Sequence, residues 1–227
     1  MQRRQAMVIG LGQFGTALSR SLSASDVDVL AVDVVPERVQ AIAPFVSEAA
    51  CFDAMDEDAL SRTSPGSRDV CICAIGDEAR EGAIIVTALL RQLGARRVIA
   101  RTADELLERI LRLVGAHEVV NPERAFGERL ARRLLYEGIL EEVPLGEDLV
   151  MSELQVPVAF VSQRLIDLEL PKRFGLTVLG VRRVGGDAEH GVRIERPGPR
   201  MELQEGDILI VVGAPGANRQ LMERLGE

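Results

Sequence analysis

The sequence contains no tryptophan, one tyrosine and six phenylalanines, and Lys172 is its only lysine. Aromatic residues make up 3% of the chain and hydrophobic residues 47%, so the core must consist mainly of aliphatic side chains. No apolar run approaches the roughly 20 residues that a membrane helix needs. No signal-peptide core fits before Gly10 either. We therefore expect a cytoplasmic protein.

Positive charge is in deficit, and the formal net charge of the 227 residues is −8. This balance argues against a nucleic-acid binder, which usually carries a basic face, and against a polybasic membrane anchor. The three cysteines (Cys51, Cys71 and Cys73) are an odd number, and no second Cys/His pair completes a zinc set. We interpret all three as core thiols in a reducing compartment.

Residues 6–33 carry the most informative pattern of the chain. A short apolar run leads into Gly10-x-Gly12-x-x-Gly15, a helical segment follows, and a second apolar run ends at Asp33, 21 residues after Gly12. This is the dinucleotide-binding fingerprint, in which the glycines permit the turn, the approach of a phosphate and close helix packing. Asp33 can accept hydrogen bonds from ribose hydroxyls and would repel a 2′-phosphate, so NADP is not expected. The alternative is that these glycines serve packing alone.

Strands and helices alternate as far as residue 120, which predicts an α/β fold with a Rossmann-like, doubly wound parallel sheet. Arg101 ends the fifth predicted strand, at the edge where ligands collect in such sheets; alternatively it is a solvated charge. A helix with one apolar face then follows Pro122. The predicted domains are a nucleotide-binding N-lobe (1–121), a crossover helix and linker (122–143) and a small α+β C-lobe (144–227).

The C-lobe has a different sequence pattern, in which predicted strands are separated by loop residues. We predict strands at 148–154, 176–184, 191–195 and 207–212, a short helix at 160–167, a turn at 171–175 and a closing helix at 217–225. The predicted linker comprises Gly138 and residues 144–146.

Candidate catalytic groups are scarce. A nicotinamide-dependent enzyme needs a proton donor or acceptor beside its cofactor, and the candidates His117, His190, Lys172 and Tyr136 have no plausible partner nearby in sequence. We therefore expect a protein that is not an enzyme and that binds its nucleotide as an effector. A small NAD-dependent oxidoreductase is the alternative. A redox-sensing repressor is disfavoured, because the chain is acidic and lacks a basic recognition helix.

Six stretches together carry a resemblance to a known family. The chain resembles RCK (KTN) proteins, the cytosolic gating subunits of bacterial Ktr/Trk potassium uptake systems, over essentially its whole length. The stretches are Val8–Gly15, Leu30–Asp33, Cys73–Gly76, Val114–Glu123, Arg164–Leu168 with Phe174-Gly175, and Leu203–Gly213.

The resemblance implies binding of ATP or ADP, with NAD(H) in some members, in the N-lobe. It also implies a homodimer formed through the crossover helix, an octameric ring and a separate membrane potassium channel that the ring gates from the cytoplasmic face. The nucleotide site that it implies comprises Gly10, Gly12, Gln13, Phe14, Gly15, Asp33, Val34, Asp53, Ala54, Ala74, Ile75, Gly76 and Arg101.

Glu123 matches a glutamate that in related proteins helps to hold a divalent cation, Mg²⁺ or Ca²⁺, between protomers; alternatively it is an acid favoured by the helix dipole. Two positions depart from the Ktr-like pattern. Gln13 replaces an arginine that reaches the terminal phosphate of ATP, and glutamine here is typical of the Trk-like branch, which is associated with NAD(H) as well as with ATP and ADP. Pro171 stands where members that bind cyclic di-AMP carry an arginine, so binding of that ligand is not predicted.

Overall fold

The protein is described by a computed structural model that covers residues 3–135, 138–183 and 194–225. The chain divides into two compact units, Met1–Ala125 and Phe126–Glu227. Among the residues that the structure describes, no helix is both long and apolar enough to cross a membrane. Each unit has a core and a sheet of its own.

The first unit alternates strands and helices. Its elements are β1 (Gln5–Ile9), α1 (Gln13–Ala24), β2 (Asp28–Asp33), α2 (Pro36–Ile42), β3 (Glu48–Cys51), α3 (Glu57–Arg62), β4 (Val70–Cys73), α4 (Arg80–Gln92), β5 (Val98–Arg101), α5 (Glu105–Leu113) and β6 (Glu118–Val120). Helix α6 (Pro122–Leu135) begins in this unit and continues into the second.

The six strands form one parallel sheet in the order β3-β2-β1-β4-β5-β6. This is the Rossmann order, in which successive strands are added on one side of β1 as far as β3 and then on its other side from β4 onward. Ligands bind at the carboxyl ends of the strands beside this change of side. The predicted fold class of the N-lobe is confirmed.

Both faces of this sheet are buried. In β1, Met7 and Ile9 pack into one apolar cluster, whereas Ala6 and Val8 pack into a second cluster on the opposite face. Successive side chains of a strand point to opposite faces, so a strand buried on both faces needs an uninterrupted apolar run. This is why the central strands of the first unit can be recognised in the sequence.

The second unit is built on an antiparallel sheet, which confirms the predicted α+β class. Its elements are β7 (Ile139–Pro144), β8 (Val150–Gln155), α7 (Leu170–Phe174), β9 (Thr177–Arg182), β10 (Ile194–Glu195), β11 (Ile208–Gly213) and α8 (Ala217–Leu225). The strand order is β10-β9-β11-β8-β7. The predicted strand at 191–195 falls partly outside the described residues.

Three local expectations in the second unit are wrong. Residues 139–144 form an edge strand, although residues 122–143 are predicted to be the crossover helix and linker. The predicted helix at 160–167 is absent from that described stretch, because the N–H groups of Ser162 and Leu165 donate to the carbonyls of Leu203 and Met201. The predicted turn at 171–175 is instead the short helix α7.

Candidate functional site

The turn between β1 and α1 depends on close backbone contacts. Gly10 has a φ of +96°, and a Cβ atom there would lie 2.9 Å from the carbonyl carbon of Ala74. A Cβ atom at Gly15 would overlap the carbonyl oxygen of Gly10. The N–H of Gly10 donates to the carbonyl of Val32 at 2.8 Å. These contacts bring the first turn of α1 against the ends of β1 and β4.

Gly12 has a different environment, because a Cβ atom there would meet no other atom within 4 Å. It is the N-cap residue of α1; its residue type offers no side-chain cap, and the first turn carries no acid. The first N–H groups of a helix need partners from outside the helix, and an anion suits them. Gln13 is exposed at this end. The geometry therefore fits a phosphate group.

Asp33 ends β2 and is 5% exposed. Its carboxylate oxygens accept hydrogen bonds from the backbone N–H of Leu11 at 2.6 Å and of Val35 at 2.8 Å. The carboxylate thus ties the glycine turn to the end of β2. An ionised carboxylate has about four acceptor positions, so these bonds leave capacity for ribose hydroxyls.

No pattern in the sequence points to Arg38. Its Nη1 lies 3.5 Å from Oδ2 of Asp33, while its side chain remains 52% exposed. Arg38 lies five residues after Asp33, and this spacing does not by itself indicate a contact. The two side chains meet only because α2 folds back over the end of β2. The pair offsets part of the negative charge at the predicted ribose position.

Three further predicted site residues flank Asp33 at the same sheet edge. Val34 is 63% exposed although it is apolar. Asp53 is exposed, and its carboxylate accepts from the N–H of Met55 at 2.9 Å, whereas Ala54 is buried. Cys51, expected in the core, is exposed instead, because β3 is the edge strand of the sheet.

Residues 74–76 continue from β4 toward the glycine turn. The N–H of Ala74 donates to the carbonyl of Ile9 at 2.7 Å, and Ala74 is buried. Its backbone is the surface against which Gly10 packs, so Ala74 supports the turn. Ile75 and Gly76 are half-buried at the same edge.

Arg101 lies at the end of β5 and forms an ion pair with Glu123, the second residue of α6. The Arg101 side chain is only 17% exposed. Its guanidinium carbon lies 5.9 Å from the ring centre of Phe14 in the first turn of α1. The structure therefore brings together three predicted site residues that are far apart in sequence.

The two buried cysteines are unreactive by environment. Burial raises the pKa of Cys71 to about 12, opposed in part by the charge of Arg68, and raises the pKa of Cys73 to about 11. Both thiols therefore stay protonated near neutral pH, and thiolate chemistry needs the deprotonated form. These two residues are core thiols, as expected.

The candidate catalytic groups do not join this site. Nδ1 of His117 accepts the N–H of Val98 at 2.9 Å, at the amino end of β5, whereas the glycine turn lies at the carboxyl ends. Lys172 pairs with Glu169 at 3.2 Å in the second unit. His190 and Tyr136 lie outside the described residues. In the described part of the chain, no three His, Cys, Asp or Glu side chains are placed to hold a metal ion.

Two protein-family models match the chain. The TrkA-N domain model matches residues 6–122, and the TrkA-C domain model matches residues 149–226. Together the two matches cover both units.

Curated relatives match over nearly their whole length. Ktr system potassium uptake protein A of Vibrio alginolyticus is 35% identical over 210 residues, which are 92% of this chain and 92% of that protein. Ktr system potassium uptake protein C of Bacillus subtilis (strain 168) is 28% identical over 212 residues, covering 93% of each chain.

Solved structures share the fold. The GsuK channel superposes with a TM-score of 0.70 at 20% identity, covering 100% of this chain and 40% of that chain. The GsuK channel bound to NAD gives 0.67 at 19% identity with the same coverage. GsuK bound to ADP gives 0.51 at 18% identity over 58% of this chain and 35% of that chain. This chain thus spans about two fifths of the channel chains that it matches in full.

Proposed function

The chain belongs to the family of proteins with TrkA-N and TrkA-C domains, and from that premise we propose that it is a nucleotide-binding subunit that gates a membrane potassium transporter. The observation that carries the proposal is the open backbone at Gly12, at an α1 N-terminus without a side-chain cap, beside the fixed carboxylate of Asp33. We propose potassium as the transported ion because the chain is similar to Ktr potassium uptake proteins.

The ligand that we propose is ATP or ADP, with NAD(H) as the second choice because Gln13 replaces an arginine. The helix N-terminus and the Arg101 guanidinium suit phosphates, and free acceptor positions on Asp33 suit ribose. The exposed apolar side chain of Val34 offers a surface for an adenine ring. Solved structures of the same fold with NAD or ADP bound support this ligand class.

We propose that the nucleotide acts as an effector and that the chain is not an enzyme. Of the two histidines, His117 lies in the part of the chain that the structure describes. Its Nδ1 accepts a backbone hydrogen bond at the amino end of β5, away from the glycine turn. General acid–base catalysis requires a group within hydrogen-bond reach of the reacting atom. The geometry of His117 therefore gives the oxidoreductase alternative no support.

Metal binding by Glu123 stays a prediction. A divalent cation needs several oxygen ligands, and this chain offers one carboxylate that is already paired with Arg101. Ligands from a second protomer would be required. No step of the proposal therefore depends on Mg²⁺ or Ca²⁺.

The proposed assembly is a homodimer formed through α6 and arranged as an octameric ring at the cytoplasmic face of a membrane potassium channel. Phe126 and Leu134 support this use of α6, since their apolar side chains are 64% and 72% exposed. Exposed apolar side chains on one helix favour a protein interface. The channel is proposed to be a separate chain.

The test is potassium flux into proteoliposomes that carry the membrane subunit of a Ktr system, with this chain added. Flux should depend on the chain and should differ between ATP and ADP by several-fold, because a nucleotide shifts a gate only as far as it binds one state better. NADH and NAD are tested in parallel, with and without magnesium. A chain carrying Gly12→Ala is the matched control and should not respond. Equal flux under every nucleotide would contradict the proposal.

A further inference from the structure

Arg101 is held by three features of its surroundings. Its Nη2 pairs with Oε1 of Glu123, its guanidinium lies near the Phe14 ring, and 83% of its side chain is removed from solvent, since 17% is exposed. Its Nε is buried and, within the described residues, donates no hydrogen bond. A buried donor without an acceptor is costly, so an anion that reached this nitrogen would be stabilised there.

We infer that Glu123 competes with the nucleotide phosphate for Arg101 and so sets the affinity of the site for phosphate. This inference rests on the proposed nucleotide site at the α1 N-terminus. Phe14 is the second residue of α1, so the guanidinium near its ring lies by the helix end that would face the phosphate. Glu123 and the phosphate would thus be two anions at one cation.

The chemistry of the guanidinium makes the competition direct. Arginine presents five N–H donors in a planar fork that matches carboxylates and phosphates equally well. If the phosphate displaces Glu123, the ion pair must break; if both anions stay, they repel each other across a few ångströms. In either case the negative charge of Glu123 opposes binding of the phosphate.

The same competition runs in the opposite direction. Linkage between two binding events is reciprocal, so a phosphate that engages Arg101 weakens the ion pair between Arg101 and Glu123.

The helix cap of α6 does not depend on Glu123. Glu123 lies in the first turn of α6, while Asn121 caps that helix by accepting the N–H of Arg124 at 2.9 Å. Removing the charge of Glu123 therefore leaves the helix cap in place.

Titration calorimetry of the full chain with ADP in magnesium-free buffer tests the inference. Glu123→Gln should bind ADP about 2- to 5-fold more tightly than the unaltered chain, which is the range expected for losing a partly exposed ion pair. The matched control is Glu118→Gln, because Glu118 pairs with Arg97 at 2.7 Å at the opposite end of β5. This control loses the same charge and should bind ADP like the unaltered chain.

The double variant gives the second readout. Arg101→Gln should weaken ADP binding about tenfold or more, as expected for a lost charge-assisted hydrogen bond. Glu123→Gln should then give no further gain, because the group for which Glu123 competes has gone. Unchanged or weaker binding by Glu123→Gln, an equal gain in Glu118→Gln, or a gain that persists without Arg101 would overturn the inference. If the unaltered chain binds no ADP, the proposed site itself has failed, which is a separate result.

Discussion

At the scale of single residues, the glycines of the β1–α1 turn meet different physical demands. Gly15 is required by space, since its missing side chain lets the Gly10 carbonyl lie against the helix. Gly12 has an ordinary φ of −67° and open space in front of it. The fold therefore does not explain glycine at position 12, whereas the proposed phosphate would.

Alanine substitutions separate these two demands. Gly15→Ala should lower the free energy of unfolding by about 1–3 kcal/mol, because the added methyl group overlaps backbone that cannot move freely. Gly12→Ala should change it by no more than about 0.5 kcal/mol and yet weaken ADP binding about tenfold or more, because the methyl group would stand where we propose that the phosphate lies. Urea unfolding and calorimetry measure the two quantities. Normal ADP binding by a folded Gly12→Ala chain would refute our placement of the phosphate.

At the scale of elements, the structure shows why the two units were predicted unequally well. The central strands of the first unit are buried on both faces and appear as apolar runs, such as 70–73. Strand β7 is an edge strand that carries Glu141 and Glu142, so its own composition does not identify it. Its hydrogen bonds to β8 decide its conformation.

Helix α7 differs from its sequence-based prediction for a related reason. Pro171 and Gly175 favour a turn when the sequence is considered alone. In the structure they begin and end one short helix: Pro171 lies in its first turn, and Gly175 follows its last residue with a φ of +68°. Proline at a helix start and glycine just past its end are the usual arrangement.

Helix α5 gives an element-scale prediction through its N-cap, Asp104. The N–H of Leu107 donates to the Asp104 carboxylate at 2.8 Å, and Arg80 lies 3.0 Å away. That hydrogen bond, followed by the Arg80 charge, lowers the pKa of Asp104. A lowered pKa means that the ionised form stabilises the folded state above the unfolded pKa of about 3.9 and that this contribution disappears as pH falls through the folded value.

Asp104→Ala should therefore lower Tm by about 2–4 °C at pH 7, and the difference from the unaltered chain should shrink as the pH falls below about 4. Thermal unfolding followed by circular dichroism at several pH values measures this. Glu105→Ala is the control, since it removes an acid from the same first turn without removing the N-cap. A difference in Tm that does not depend on pH would contradict the conclusion that the ionised carboxylate of Asp104 stabilises the folded state.

At the scale of the whole molecule, the chain contains two units with separate apolar cores. The proposed nucleotide site lies wholly in the first unit, from the glycine turn to Glu123. A ligand that binds only the folded state stabilises it by RT ln(1 + [L]/Kd). Binding of ADP should therefore stabilise the unit that contains the site.

At an ADP concentration of about 100 times Kd, the gain should be about 2.7 kcal/mol, which corresponds to a rise in Tm of roughly 5–10 °C for a protein of this size. Differential scanning calorimetry measures it on the full chain. The Gly12→Ala chain, which keeps the fold, should show no such rise. A shift of the same size in both chains would mean that ADP binds elsewhere.

The sequence by itself determined the class of the first unit, its glycine turn and the position of Asp33. These features depend on local spacing, which the sequence shows as the glycine fingerprint, and on burial on both faces, which it shows as uninterrupted apolar runs. The candidate site residues remain predictions as ligand contacts, although the structure gathers most of them at one edge of the sheet.

Only the tertiary structure decided what these side chains contact. Arg38 reaches Asp33, the Asp33 carboxylate holds the N–H of Leu11, and Arg101 pairs with Glu123 across 22 residues of sequence. Cys51 lies on the surface because β3 has a neighbour on one side only. Such pairings depend on which strands are neighbours, and strand order results from packing of the whole sheet, so no local pattern of residues records it.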